Sequence, residues 1–184
     1  MASIIKANEL QDFGGNSIIT SDGAGTITLS SGMQTAVQSA GADNTPAFHC
    51  TMSGSQTIAN ATTTILQYDT EVYDTDSAFN TSNYTFTAPS AGKYFFKIAT
   101  MGIFCDSTTE ICIIGVYVNG TQYQKTTHNR GTVQTDTSFF HESIVPLSAS
   151  DAVTAKIYHN QGSSRGNDAA VASTFFQGFK LIGV

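Results

Sequence analysis

Two neighbouring runs of this chain alternate along the sequence with a period of two. Tyr84 and Phe86 alternate with Thr85 and Thr87, and Tyr94, Phe96 and Ile98 resume the alternation after Pro89 and Gly92. Period two puts successive side chains on opposite faces of a strand, so one face can be apolar and the other wet. Pro89 has no N–H to give a ladder, and Gly92 supplies backbone freedom, so the break between these two runs reads as a corner. The same reading predicts strands over 47–52, 63–68, 84–86, 92–104, 111–118, 121–127, 137–146, 152–159 and 172–184. Asn119 and Gly120 between β-rich flanks predict a type I′ hairpin. No amphipathic helix of three or more turns is visible. Many short strands punctuated by Gly and Pro predict an all-β sandwich or jelly roll.

Residues 1–44 read differently. Ile18 and Thr20, then Ile27 and Leu29, flank the run Ser21, Asp22, Gly23, Ala24, Gly25, which predicts a β-hairpin with a glycine-rich turn. Residues 8–15 read as a short polar element with a helical turn, and residues 34–44 as a small, polar linker. The chain thus divides into an N-terminal arm, 1–44, and a head, 45–184. An isolated hairpin is marginal in water, so the arm is expected to be held by other molecules. Its candidate anchoring residues are Ile4, Ile5, Leu10, Phe13, Ile18, Ile27 and Leu29.

Composition narrows the function classes. The 184 residues suffice for one substantial core without metal or disulfide. Charged residues are only 12%, with a net charge of −6. Eight Lys and Arg spread over this length form no basic stripe, which argues against nucleic acid. No apolar run approaches the roughly 20 residues of a membrane helix. The first nine residues lack the basic start and long apolar middle of a secretory signal, so the chain is expected to be made in a cytoplasm. Cys50, Cys105 and Cys112 are odd in number and read first as small buried hydrophobes, although a bridge between Cys105 and Cys112 is open.

Chemistry-bearing constellations are sparse. Asp69, Glu71, Asp74 and Asp76 form the densest carboxylate group and are the candidate calcium ligands, but they lack the glycine and glutamate of an EF-hand and equally suit a solvated loop. His49, His128, His141 and His159 are dispersed, with no metal-ligand spacing. There is no nucleophile elbow and no phosphate cradle. No catalytic residue and no cofactor are expected, and the chain does not read as an enzyme.

The aromatic residues carry more. Phe139 with Phe140, and Phe175 with Phe176, are doublets, and Tyr94, Phe95 and Phe96 are a triplet. Adjacent strand residues face opposite ways, so only part of each group can enter one core. Tyr94, Phe96, Phe139, Phe140, Phe175, Phe176 and Phe179 are therefore expected in the core or in a seam between subunits.

The chain resembles the jelly-roll head family of the first complement component's q subunit, shared in outline with tumour necrosis factor. The resemblance rests on Phe79, Asn83, Phe86, Pro89, Gly92, Tyr94 and Phe96; on Leu147, Asp151 and Val153, with Ser150 where the family has Gly; and on Phe176, Gly178, Phe179 and Leu181. It covers roughly residues 46–184. It implies an all-β jelly-roll β-sandwich that assembles as a homotrimer.

The arm is also similar in style to hairpins of phage fibre and decoration proteins. Together these imply a bacteriophage virion structural protein on the virion surface: a trimeric capsid decoration or head-fibre protein, its arm bound to a capsid or tail protein. A tail-fibre receptor-binding protein that recognises a host-surface glycan is the alternative, and a soluble lectin-like ligand-binding module is a second. Loops over 69–78, 106–110, 129–136 and 161–168 are expected at the exposed tip.

Overall fold

The computed structural model describes residues 9–24, 26–34, 44–102, 110–129, 138–169 and 173–182. Ile4, Ile5, Gly25, Cys105 and most of the 106–110 and 129–136 loops lie outside them. The chain forms two compact units, one over residues 1–43 and one over residues 44–182. No helix among the described residues is long and apolar enough to cross a membrane.

The first unit is a three-stranded antiparallel meander of β1 (Glu9–Gln11), β2 (Ser17–Ser21) and β3 (Ile27–Leu29). The β2–β3 hairpin is the expected one. The Asp22 carboxylate accepts the amides of Ala24 (2.7 Å) and Thr26 (3.0 Å), and Gly23 takes φ +75°. Where a helical turn was expected within 8–15, residues 9–11 form a strand and 12–15 a turn, with Leu10 opposite Ile19. The cause is local: Asp12 Oδ1 accepts the amides of Gly14 (2.8 Å) and Asn16 (2.9 Å), closing a turn that returns the chain alongside itself.

The second unit is a jelly-roll sandwich of antiparallel strands. Its five-stranded sheet has the order β13 (Ser138–Leu147), β10 (Gly92–Met101), β16 (Phe175–Lys180), β4 (Ala47–Thr51), β7 (Thr70–Asp74). The facing sheet has the order β12 (Thr121–Asn129), β11 (Ile111–Val118), β14 (Ala152–His159), β9 (Thr85–Thr87), β8 (Phe79–Asn80), with β6 (Thr64–Ile65) also on β14. A short pair, β5 (Thr57–Ile58) with β15 (Arg165–Gly166), stands apart.

Strict alternation in β13 and β14 sends every second side chain between the sheets. Phe48 sits at the centre, its ring 5.0 Å from each of Phe79, Phe86 and Phe176. Burying one such ring is worth about 1.5–3 kcal/mol. Tyr94 keeps its ring in the core and donates its hydroxyl to the Ser90 carbonyl at 2.7 Å, so the polar tip is satisfied at the corner.

The Asn119–Gly120 turn has φ of 49° and 82°, as a type I′ hairpin requires. Two expectations fail. Tyr84 is not a strand residue: its φ of 59° is left-handed, and the strand begins at Thr85. The loop expected over 69–78 contains an edge strand, β7, paired to β4. The loop over 161–168 is exposed at 162–164, 166 and 168, as expected, but is pinned at two points. Gln161 and Asn167 are buried, and Asn167 Oδ1 accepts the Gln56 amide at 2.6 Å.

Register sorts the strand ends. Met101 pairs with Ser138, Ile111 with Asn129 and Cys112 with His159, while the Asn160 amide donates to the Ile111 carbonyl and the Asp168 amide to the Met101 carbonyl. The strand ends around 102–110, 129–138 and 160–174 therefore share one end of the sandwich. Pro46 lies at the other, where its carbonyl accepts the Lys180 amide and the Leu181 amide reaches Lys93.

Candidate functional site

The feature with the most to do is the outer face of the five-stranded sheet. Three cross-strand rows build it. The first runs Ile144, Phe95, Phe179, Ala47. The second runs Glu142, Lys97, Gln177, His49, Tyr73. The third runs Phe140, Ala99, Phe175, Thr51. Phe95 and Phe179 approach to 5.3 Å between ring centroids, His49 stacks on Phe175 at 5.5 Å, and Tyr73 tilts toward His49 at 6.0 Å. Ile144 stays 53% exposed and Phe140 52%. One ion pair, Lys97 to Glu142 at 3.7 Å, crosses the middle row. Both partners are solvated, so it contributes little to stability. The face is a broad apolar surface with a small polar stripe, which is the composition of a contact surface.

The aromatic groups divide as strand geometry demands. Tyr94, Phe96, Phe139 and Phe176 are core residues, fully buried. Phe140, Phe175 and Phe179 lie on the outer face. Four members of that face were not among the expected core or seam residues: Phe95, Ile144, His49 and Tyr73. Ile144 was legible as the position two before Pro146 and four after Phe140 on one alternating strand. Tyr73 was not, because β7 itself was read as a loop, and His49, on a predicted strand, was read only as one of four dispersed histidines.

The arm residues are spread over the first unit. Leu10, Phe13 and Ile27 are exposed, and Ile18 and Leu29 are half-buried. Three exposed apolar side chains on a three-stranded sheet leave that unit with uncovered hydrophobic surface of its own.

The candidate calcium ligands do not converge. Asp69 accepts the Ser53 amide (2.7 Å) and hydroxyl (2.5 Å), whereas Asp74 accepts the Phe79 amide (2.7 Å) at the far end of β7. These two carboxylates are already spent on holding a neighbouring segment. Burial pushes the Asp69 pKa up, but the Ser53 bonds outweigh it and hold the acid below its usual range. Among the described residues no group of three or more His, Cys, Asp or Glu is placed to hold a metal.

Cys50 and Cys112 are both buried. Burial first, then Glu71 and Asp74, pushes Cys50 up to about 12, which leaves it an unreactive thiol. His49 lies on the outer face, whereas His141 and His159 are buried, and His159 Nε2 meets the Ile58 carbonyl at 3.1 Å.

Comparison with known proteins accords with this architecture. The C1q domain family model matches residues 47–181. Among solved structures, the globular domain of zebrafish complement 1qA protein is 15% identical with a TM-score of 0.54, covering 74% of this chain and 96% of its own. Murine APRIL at pH 5.0 is 14% identical with a TM-score of 0.55, covering 73% and 98%. Eiger TNF from S. frugiperda is 13% identical with a TM-score of 0.51, covering 73% and 91%. At such identities these likenesses concern the fold alone. No curated protein matches the sequence. The family model spans the whole sandwich from β4 to the end of β16, and on that ground the chain belongs to the C1q domain family.

Proposed function

We propose that this protein is a homotrimeric structural component of a bacteriophage virion surface, a capsid decoration or head-fibre protein. Its jelly-roll head is exposed, and its N-terminal unit binds a capsid or tail protein. The observation that carries the trimer is the apolar outer face of the five-stranded sheet. Phe140, Ile144, Phe95, Phe175 and Phe179 line it, and a two-layer head has no third layer of its own to cover them. Each fully covered ring or aliphatic side chain is worth about 1.5–3 kcal/mol. Several per copy, three copies around one axis, are enough to offset an association cost of about 4–15 kcal/mol. The family resemblance implies the same assembly.

The anchoring role is supported by where the chain enters the head. Pro46 lies at the end of the sandwich opposite the strand ends flanking 102–110, 129–138 and 160–174. The loop-bearing end of the head is thus the end away from its own point of chain entry. The exposed Leu10, Phe13 and Ile27 are the apolar groups the first unit offers to a virion partner. Three linked heads then multiply weak contacts by raising effective concentration.

Two measurements test the reading. Sedimentation of purified protein is expected to give three times the 19.5 kDa chain mass, and a persistent monomer would remove the account of the outer face. Deleting residues 1–30 is expected to abolish attachment to the parent particle while the head stays folded. Unchanged particle occupancy would refute the anchor. Electron microscopy of labelled particles then decides between capsid and tail.

A further inference from the structure

The two sheets part along one long edge, where β12 ends one sheet and β13 ends the other. No backbone ladder joins these strands. Side chains close the seam instead: Thr126 Oγ1 meets His141 Nδ1 at 3.0 Å, and the His128 ring stands edge-on to Phe139, with centroids 4.9 Å apart. The alternation of β13 turns His141 inward, where only 5% of it remains exposed. Its Nε2 is buried and finds no hydrogen-bond partner among the described residues, and neither does the Oγ of Ser143, two residues along the same face.

Among the described residues, no carboxylate faces His141 from inside the seam. From β10 the paired residue is Ile98. From β11 the inward residues are Cys112, Ile114 and Val116, of which only the buried thiol can titrate. From β12 come Thr126 and His128, with Lys125 exposed beside them. On β13 itself the neighbouring carboxylate is Glu142, which faces outward to Lys97.

We propose that this seam is an acid-sensitive latch. The neutral imidazole of His141 closes β12 onto β13 through Thr126, and its protonation opens that edge of the sandwich. A second N–H would be buried without an acceptor and a charge without a counter-ion, and both are costly in an apolar site. Burial accordingly holds His141 below the ordinary imidazole range, with Glu142 pulling it partly back. For a histidine whose folded pKa is depressed, the stabilisation is complete above the unfolded value. It is lost as pH falls from about 6.5 through the folded pKa. Opening would uncover Phe139 and bring His128 into water. The device belongs to the single head and does not depend on trimer formation.

The test uses the full chain at about pH 7.5 and about pH 5, the range over which imidazoles change charge. The His141 ring is followed by NMR, and amide exchange in β12 is compared with that in β14 after correction for intrinsic rates. The latch requires His141 to titrate below the ordinary imidazole value and β12 protection to fall about tenfold or more relative to β14 at the lower pH. His141→Gln, which still reaches Thr126 but cannot take the charge, is expected to abolish the difference, and His128→Gln to retain it. An ordinary or raised His141 pKa, or equal relative protection at both pH values, would overturn the proposal in the unaltered protein even if the variants fail to fold. So would a response that disappears with His128 and not with His141.

Discussion

Gly178 lies hard against Phe96. A β-carbon on this glycine would stand 2.6 Å from Phe96 Cδ1, 2.8 Å from the Phe95 carbonyl oxygen and 3.0 Å from Phe48 Cε1. β16 can therefore pass over the central rings only with no side chain at this position. Gly178→Ala forces either the ring or the strand to move, and overpacking of this kind costs about 1–3 kcal/mol. The expected result is a drop of several degrees in the melting temperature of the head. An unchanged melting curve would mean that β16 does not run this close to Phe96.

Phe176, on the same strand face as Gly178, touches the rings of Phe48, Tyr68, Phe79 and Phe96, with centroids 5.0–5.8 Å apart. It is fully buried. Phe176→Ala is expected to lower unfolding free energy by about 3–5 kcal/mol, because the lost contacts leave a cavity that flanking rings cannot fill. Denaturant titration reads this directly, and a loss well under 1 kcal/mol would place the ring in solvent.

The two doublets show how far the sequence could be read. That Phe139 and Phe140 must face opposite ways follows from strand geometry alone, and they do. Which of them faces the core does not follow, because it depends on the register of β13 against β10, strands far apart in the chain. The Asn119–Gly120 turn was legible because both residues need the same left-handed backbone. Tyr84 was not, because a bulky residue rarely adopts that conformation and the run around it reads as strand. β5 and β15 escaped notice for a further reason. Two-residue strands carry no periodicity, and here Asn167 holds their neighbourhood through long-range bonds to Gln56 and Thr100.

Phe140→Asp separates the outer face from the core. Phe140 is more than half exposed in the single chain, so a charge there is tolerated by the monomer fold. In a seam between copies the same carboxylate would be buried without a partner. The expected outcome is a species of 19.5 kDa in sedimentation, with an unaltered circular dichroism spectrum. A variant that still sediments as the parent assembly would move the contact to another face.

Ser150 offers a change in the opposite direction. It takes φ +72° in the turn between β13 and β14, at the position where the family resemblance leads one to expect glycine. The turn does not depend on its side chain. The Ser150 amide donates to the Ala88 carbonyl at 2.8 Å, the Asp151 carboxylate accepts the Ser148 amide (2.7 Å) and the Asn119 side-chain amide (2.8 Å), and Asn119 Oδ1 accepts the Ala152 amide (2.9 Å). These bonds fix the backbone whatever occupies position 150. A left-handed conformation costs an ordinary L-residue about 1–2 kcal/mol. Glycine removes that strain but gives back about 0.5–1 kcal/mol through the greater freedom of the unfolded chain. Ser150→Gly is therefore expected to stabilise the head by up to about 1 kcal/mol, raising its melting temperature by about 2–4 °C at the upper limit. Scanning calorimetry of the two proteins side by side measures the difference. A lower melting temperature in the glycine variant would show that Ser150 is unstrained and that its side chain contributes to the turn.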